Sequence, residues 1–211
     1  MAALCIGATA QSTEMKDAHP ASIETLPPRA SATDYQAHQQ VGKLTIAAEF
    51  MGHSVPRAEG PLTTEEFVDV EVGFFGPAGE HVSLSVDDFS LRINGKKSPL
   101  PRQPYGLVVS NLRDPSWSPP EEAESKPKSK TGLSTGGGGD ASSMPVVIHI
   151  PIALQRSMAQ YVQKSSLRDG DRTVPEAGLI FFQYRGNRDK IHSLQLIYSG
   201  SAGKATLDLQ P

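Results

Sequence analysis

The sequence is poor in cysteine and in long apolar runs, and each shortage excludes a class of protein. A single cysteine, Cys5, cannot form an intramolecular disulfide, so a disulfide-stapled scaffold is excluded. No run reaches the roughly 18 apolar residues that a transmembrane helix needs, so we expect no transmembrane segment. Basic residues do not outnumber acidic ones, with 20 Lys and Arg against 23 Asp and Glu. The charge balance therefore predicts no nucleic-acid partner.

The amino terminus has the composition of a targeting segment. Met1–Ala10 is short and apolar, and it ends in Ala8-Thr9-Ala10, the small-residue pattern of a signal-peptidase site. We interpret residues 1–10 as the remnant of a secretory signal peptide, with an ordinary N-terminal tail as the alternative. Residues 11–40 contain few large apolar side chains and three prolines, which predicts a flexible leader. A secreted or periplasmic protein is the expectation that follows.

The stretch from Phe67 to Lys97 carries the clearest structural pattern. Apolar and polar residues alternate over Phe67–Phe74, which predicts a strand with one buried face and one wet face. Gly76–Gly79 has turn composition, and alternation resumes from Val82, so we expect a hairpin. Asn94-Gly95 is the dipeptide favoured in a type I′ turn. Such a hairpin needs a second layer on its apolar face.

The remaining apolar patterns predict several short strands and one helix. Ser98–Pro101 is expected to be an edge or a loop, because proline cannot donate to a strand ladder. Leu179–Tyr184 is apolar throughout and is expected to be central, with both faces covered. A helix is predicted from Pro151 to about Leu167, crossing from one sheet to the other. The other predicted strands are Val41–Phe50, Leu107–Val109, Val146–Ile150, Ile191–Tyr198 and Ala205–Leu209.

Residues 115–143 combine prolines, alternating charges and a run of four glycines. Such a composition cannot bury enough apolar surface to offset chain entropy, so we expect a disordered insertion. The pieces on either side are small for independent domains, which favours a single domain over residues 41–211. A linker between two domains is the alternative. The strand count favours an all-β fold, a two-sheet antiparallel β-sandwich with one crossover helix and a long insertion.

Three motifs resemble those of secreted bacterial immunoglobulin-like domains of the mycobacterial secreted-antigen and envelope-lipoprotein type. They are the Phe67–Val72 strand, the Phe89–Lys96 hairpin segment and the Pro175–Phe182 turn and strand. The resemblance implies an immunoglobulin-like sandwich and an extracytoplasmic binding or structural module. It implies no catalytic residues and no cofactor.

Motifs for catalysis and metal binding are scarce. There is no G-x-S-x-G, no H-x-x-x-H and no C-x-x-C, so we expect no enzyme, and an enzyme of unrecognised type ranks last. Met51, His53 and His149 are the residues that an alternative function, envelope copper or zinc handling, would use. The competing interpretation treats them as single residues on strands and loops.

Two places have the composition of a binding surface. Trp117 stands among prolines at the start of the insertion, where it either anchors the loop or contacts a partner. Tyr184, Arg185 and Arg188 cluster near Lys190 and would suit an acidic partner, with a solvated turn as the alternative. The sequence therefore predicts a secreted, non-catalytic binding or structural module of the cell envelope. Its partner, an envelope protein or a surface ligand, and its oligomeric state are not encoded in any recognisable motif.

Overall fold

The computed structural model describes residues 26–118 and 150–211, and these residues form thirteen strands and two α-helices. The helices are α1 (Tyr105–Val109) and α2 (Ile152–Ser165). The strands are β1 (Ala37–Val41), β2 (Leu44–Gly52), β3 (Ser54–Val55), β4 (Leu62–Thr64), β5 (Phe67–Phe75), β6 (His81–Leu84), β7 (Phe89–Ile93), β8 (Leu100–Gln103), β9 (Leu112–Arg113), β10 (Gly170–Thr173), β11 (Glu176–Gln183), β12 (Leu194–Gly200) and β13 (Gly203–Leu209).

Eight strands form one antiparallel sheet in the order β1-β2-β5-β11-β8-β7-β12-β13. The sheet curls until its two edge strands approach each other, and side chains bridge the seam. The backbone N–H of Thr206 donates to Gln39 Oε1 at 3.2 Å, and Gln36 Nε2 donates to the Gln210 carbonyl at 3.0 Å. The predicted all-β class is confirmed as a large, nearly closed antiparallel sheet with few helices. Two small sheets, β6-β10 and β3-β4-β9, accompany it.

The inside of the curled sheet is the main hydrophobic core. Val68, Val70, Val72 and Phe74 of β5 all point into it, as the alternating pattern predicts. Phe74 packs edge-on against Tyr198 of β12, with ring centroids 5.7 Å apart. Burying each such side chain contributes roughly 1.5–3 kcal/mol. Strands before and after residues 119–149 therefore share one interior.

The prediction that the other face of β5 is wet is wrong. Residues 67–74 are all buried. Helices α1 and α2 and the β3-β4-β9 sheet cover this outer face and form a second core. That core contains Val55, Leu62, Phe67, Val108, Leu112, Met158, Tyr161, Val162, Leu179 and Phe181. Asp69 and Glu71, which the sequence pattern placed in solvent, are consequently interior residues.

The predicted hairpin between β5 and β6 is also wrong. Strand β5 pairs with β2 on one side and with β11 on the other, while β6 pairs with β10. Both edges of β5 are therefore occupied by strands distant in sequence. The second turn prediction fits the structure, because Asn94 and Gly95 have φ values of 51° and 65°, and a type I′ turn requires positive φ at both positions.

Two further local predictions, for Leu107–Val109 and for Ser98–Pro101, are wrong. Leu107–Val109 belongs to α1, which follows Pro104 and buries Val108 in the second core. Strand β8 is central, between β11 and β7, although Pro101 lies within it. Pro101 lies opposite Ser90 of β7, whereas Arg102 and Gln103 lie opposite β11. Each neighbour therefore pairs with a different part of β8, and the missing proline N–H interrupts no long ladder.

The predictions for β11 and α2 are confirmed in their main features. Strand β11 lies between β5 and β8, and Leu179–Phe182 is buried. Helix α2 spans Ile152–Ser165 and buries Met158, Tyr161 and Val162. Its position differs from the prediction, because these side chains pack on the outer face of the large sheet instead of crossing between two sheets.

Several predicted segments lie outside the described residues. These are the signal remnant 1–10, the leader up to residue 25, the insertion from residue 119 onward and the strand Val146–Ile150 apart from Ile150. The structure describes residues 26–40 of the predicted leader. They contain a 3-10 turn over Ala32–Asp34 and the first four residues of β1, 37–40. The predicted strand Val41–Phe50 corresponds to β2, whereas β1 was not predicted, and the prediction of a flexible leader is wrong for residues 37–40.

Candidate binding surface

His53 and Tyr184 meet at one end of the large sheet, where β2 bends into β3 and β11 ends. Their rings stack with centroids 6.2 Å apart and an interplanar angle of 25°. His53 Nε2 lies 3.0 Å from the Gly186 carbonyl oxygen. Because a carbonyl only accepts, we assign the proton to Nε2. A Cβ on Gly186 would lie 2.4 Å from the Tyr184 ring, so a larger residue there would have to displace that ring.

Two arginines flank this aromatic pair. The Arg188 guanidinium carbon lies 5.7 Å from the centroid of the Phe50 ring, and the Arg188 side chain passes over Gly52. Among the described residues, no carboxylate lies within ion-pairing distance of Arg188. Arg185 Nη2 lies 3.1 Å from Glu66 Oε2, and the Arg185 side chain is 68% exposed. We call the patch formed by His53, Tyr184, Arg185 and Arg188, with the buried Phe50 ring beneath Arg188, the basic–aromatic surface.

Backbone and side-chain hydrogen bonds fix the loop that carries this surface. The Tyr184 N–H donates to the Glu66 carbonyl at 2.8 Å, one residue beyond the end of β11. Asn94 Oδ1 accepts from the backbone N–H groups of His192 and Ser193 at 2.7 and 3.2 Å. Asn94 Nδ2 donates to the Lys190 carbonyl at 2.8 Å. The loop is therefore held at both of its ends.

The arrangement suits recognition of an anion. Arginine presents a planar fork of N–H donors that matches carboxylate and phosphate groups, and it keeps its charge at every physiological pH. An arginine over an aromatic ring is pre-oriented, since the ring face attracts the cation. The stacked His53 and Tyr184 rings lie at the same end of the sheet as the two arginines.

The structure brings some predicted site residues together and separates others. His53 from the metal hypothesis joins Tyr184, Arg185 and Arg188 from the binding hypothesis. Met51 packs against the second core, and His149 lies outside the described residues. Within residues 26–118 and 150–211, no three His, Cys, Asp or Glu side chains are grouped as metal ligands would be.

Trp117 occupies a separate place from the basic–aromatic surface. It is half-buried and follows β9, and its backbone N–H donates to the Asp114 carbonyl at 3.1 Å. Asp114 is itself held by Arg57 Nη2 at 2.9 Å. The chain is thus fixed just before Trp117, while its two predicted roles, loop anchor and partner contact, both stay predictions.

A partly buried ion network at Arg29 was not predicted from the sequence. Arg29 Nη2 lies 2.6 Å from Glu71 Oε2, its Nη1 contacts Glu49, and its guanidinium lies 4.5 Å from the centre of the Tyr35 ring. Burial by itself lowers the pKa of Arg29, but hydrogen bonds to Glu71 and Glu49 outweigh it and raise that pKa. Burial also raises the pKa of Tyr35, and the Glu71 charge adds to this. Glu71 is tolerated under the outer layer because Arg29 neutralises it.

Replacing Arg29 by methionine should lower the free energy of unfolding by about 2 kcal/mol, since it leaves Glu71 buried without its cation. We expect less than for a fully enclosed pair, because Arg29 is 28% exposed. Chemical denaturation at neutral pH measures the change. Arg113→Met is the matched control, since Arg113 pairs with Glu65 in solvent and should cost less than about 0.5 kcal/mol. Equal losses in both variants would contradict the assigned role of Arg29.

Asp69 is a second interior carboxyl group, and it has no cation beside it. It is 0% exposed, and neither carboxyl oxygen has a hydrogen-bond partner in the described part of the chain. It lies opposite Phe181 of β11 and Gly52 of β2. Burial raises the pKa of Asp69 well above its usual value, and the nearby backbone N–H groups of Asp69 and Ser54, which do not reach hydrogen-bond geometry, oppose this only in part.

Comparison with protein-family models, with curated proteins and with solved structures finds no match for this chain. The resemblance to secreted immunoglobulin-like domains therefore rests on sequence motifs alone. Among the described residues, no helix is both long enough and apolar enough to cross a membrane.

Proposed function

We propose that this protein is a non-catalytic binding module of the cell envelope that engages an acidic partner through the basic–aromatic surface. The observation that carries the proposal is the convergence of His53 with Tyr184, Arg185 and Arg188, which are more than a hundred residues away in sequence. Arg188 is held over Phe50 with its charge uncompensated by any described carboxylate. Such a charge is available to a ligand.

The finer assignment, a secreted or periplasmic immunoglobulin-like sandwich, belongs to the same proposal. It is supported by the motifs at Phe67–Val72, Phe89–Lys96 and Pro175–Phe182, and by the targeting pattern of residues 1–10. The curled sheet adds one consideration. Its two halves meet at β8 and share one interior, as the paired sheets of a sandwich do.

Loss of the Arg188 charge should weaken binding of an acidic probe about tenfold. The reason is that a hydrogen bond to a charged group contributes roughly 1.5–3 kcal/mol and 1.4 kcal/mol is a factor of ten. We would titrate the protein into fluorescently labelled oligoglutamate, and separately into labelled dextran sulfate, at low ionic strength. Fluorescence anisotropy gives Kd for the native sequence and for Arg188→Gln.

The matched control for this measurement is Arg156→Gln. Arg156 is exposed on α2, so the substitution makes the same change of net charge at a distant place. The proposal expects Arg156→Gln to leave both Kd values nearly unchanged. Equal weakening by the two substitutions would show non-specific attraction and would contradict the proposal, as would the absence of binding to both probes.

Mass spectrometry of the natively purified protein tests the alternative of metal handling. The donor groups of that hypothesis are engaged elsewhere where the structure describes them, with Met51 in the second core and His53 Nε2 at the Gly186 carbonyl. We expect the mass of the protein without metal. One equivalent of bound copper or zinc would contradict the proposed function as stated.

A further inference from the structure

Glu66 borders the basic–aromatic surface, and its carboxylate contacts one residue of that surface, Arg185. Its Oε2 lies 3.1 Å from Arg185 Nη2, the single hydrogen bond between the two side chains. A guanidinium has five N–H groups and pairs best with a carboxylate through two parallel bonds. The Arg185–Glu66 contact is therefore a weak version of the pairing that Arg185 is able to make.

The fold itself sets Glu66 beside Arg185. The Glu66 carbonyl accepts the Tyr184 N–H at 2.8 Å, so residues 66 and 184 are fixed side by side just outside β5 and β11. The carboxylate of Glu66 thus reaches the guanidinium of the next residue, Arg185. Both side chains are accessible, at 34% and 68% exposure, so this carboxylate lies where a ligand from solvent would approach.

We propose that the partner group taken by Arg185 and Arg188 is a carboxylate, and that Glu66 occupies Arg185 in the free protein as an internal competitor. This inference rests on the proposed function and identifies its ligand as an acidic peptide segment rich in Asp or Glu. An exposed ion pair with a single hydrogen bond is weak, so a ligand carboxylate that bonds Arg185 through two parallel N–H groups displaces Glu66. Arg188, three residues along the chain, offers a further guanidinium to the same acidic segment.

Removing the Glu66 charge tests the inference directly. Glu66→Gln should tighten binding of labelled oligoglutamate by up to about fivefold, because 1 kcal/mol of competition is lost. Glu65→Gln is a matched control, since it removes the same charge from the adjacent residue but from a different pair, Glu65 with Arg113 at 3.4 Å. We expect Glu65→Gln to have a clearly smaller effect.

A double variant separates competition from a change of net charge. In Arg185→Gln, the added substitution Glu66→Gln should no longer tighten binding, because the competed group is gone. Equal gains from Glu66→Gln and Glu65→Gln, or a gain that survives Arg185→Gln, would overturn the role of Glu66 while leaving the Arg188 result intact. Binding to dextran sulfate but not to oligoglutamate in every variant would overturn the carboxylate assignment and leave an acidic partner of another kind.

Discussion

Asp69→Asn should stabilise the protein at neutral pH. Asparagine keeps the shape of a protonated Asp69 and removes the need to hold a proton in the folded state. The stabilisation should be near zero at about pH 4 and should grow by about 1.4 kcal/mol for each pH unit above that, until the pH reaches the raised pKa of Asp69 in the folded protein. Asp69 therefore opposes folding most strongly under ordinary conditions.

The sign of this pH dependence follows from burial. The pKa of Asp69 is raised in the folded protein, because the charged form is desolvated there, whereas the unfolded chain has a pKa of about 3.9. Below the unfolded pKa both states are protonated, and Asp69 carries no electrostatic penalty. As pH rises above it, the unfolded state loses its proton first and is favoured, until pH passes the folded pKa.

Urea denaturation of both proteins between pH 4 and pH 8 measures this difference. The control is Asp87→Asn, because Asp87 is exposed at the start of a 3-10 turn and should give no increasing gap. The free energy of unfolding should fall with rising pH more for the native sequence than for Asp69→Asn. If the two values changed with pH in parallel, a neutral Asp69 in the folded state would be contradicted.

Gly178→Ala should destabilise the protein by about 3 kcal/mol or more, a loss comparable to severe overpacking of a core. A Cβ at residue 178 would lie 2.4 Å from Leu167 N and 2.5 Å from Leu167 Cα. These are backbone atoms, and Leu167 N also donates to the Leu179 carbonyl at 2.9 Å. The segment after α2 is therefore hydrogen-bonded to β11 at the place that the methyl group would occupy. The Leu167 backbone cannot move away without breaking that bond.

Gly106→Ala is the control for the glycine effect. Gly106 lies in α1, and no atom lies within 4 Å of the place that an alanine methyl group would take, so alanine should be neutral or stabilise by up to about 1 kcal/mol. Thermal unfolding followed by circular dichroism compares the variants. If Gly178→Ala were as stable as Gly106→Ala, the close approach of Leu167, in the segment after α2, to Gly178 of β11 would be contradicted.

Local patterns in the sequence predicted the features that depend on neighbouring residues. The alternation over Val68, Val70, Val72 and Phe74 identified the inner face of β5, and helical spacing identified the buried face of α2. The partners of β5 were not predictable in this way. Strand β11 lies about a hundred residues further along the chain, and nothing within residues 67–75 records that pairing.

Burial of the outer face of β5 was hidden for a related reason. Asp69 and Glu71 have the composition of a wet face, and each is buried by residues from other elements. Glu71 depends on Arg29, which lies in the segment predicted as a flexible leader. Asp69 lies opposite Phe181 and Gly52, and no residue near it in the sequence indicates that its carboxyl group is buried.

The candidate site was predictable in pieces. Tyr184, Arg185 and Arg188 stood out as a cluster along the chain, and His53 stood out as a candidate metal ligand. Their convergence depends on the bend after β2 and on Gly186, whose lack of a side chain admits Tyr184. Glu66 had no recognisable signal, because its contact with Arg185 arises only when β5 and β11 pair.

Chemical-shift mapping tests the central claim, that an acidic ligand binds at the basic–aromatic surface. Unlabelled oligoglutamate is titrated into the isotope-labelled protein at low ionic strength, and backbone amide shifts are followed. We predict that the changes concentrate at residues 50–53, 66 and 184–190, and that they saturate together. Changes spread over α2 and other cationic surfaces without saturation, or no changes at all, would contradict it.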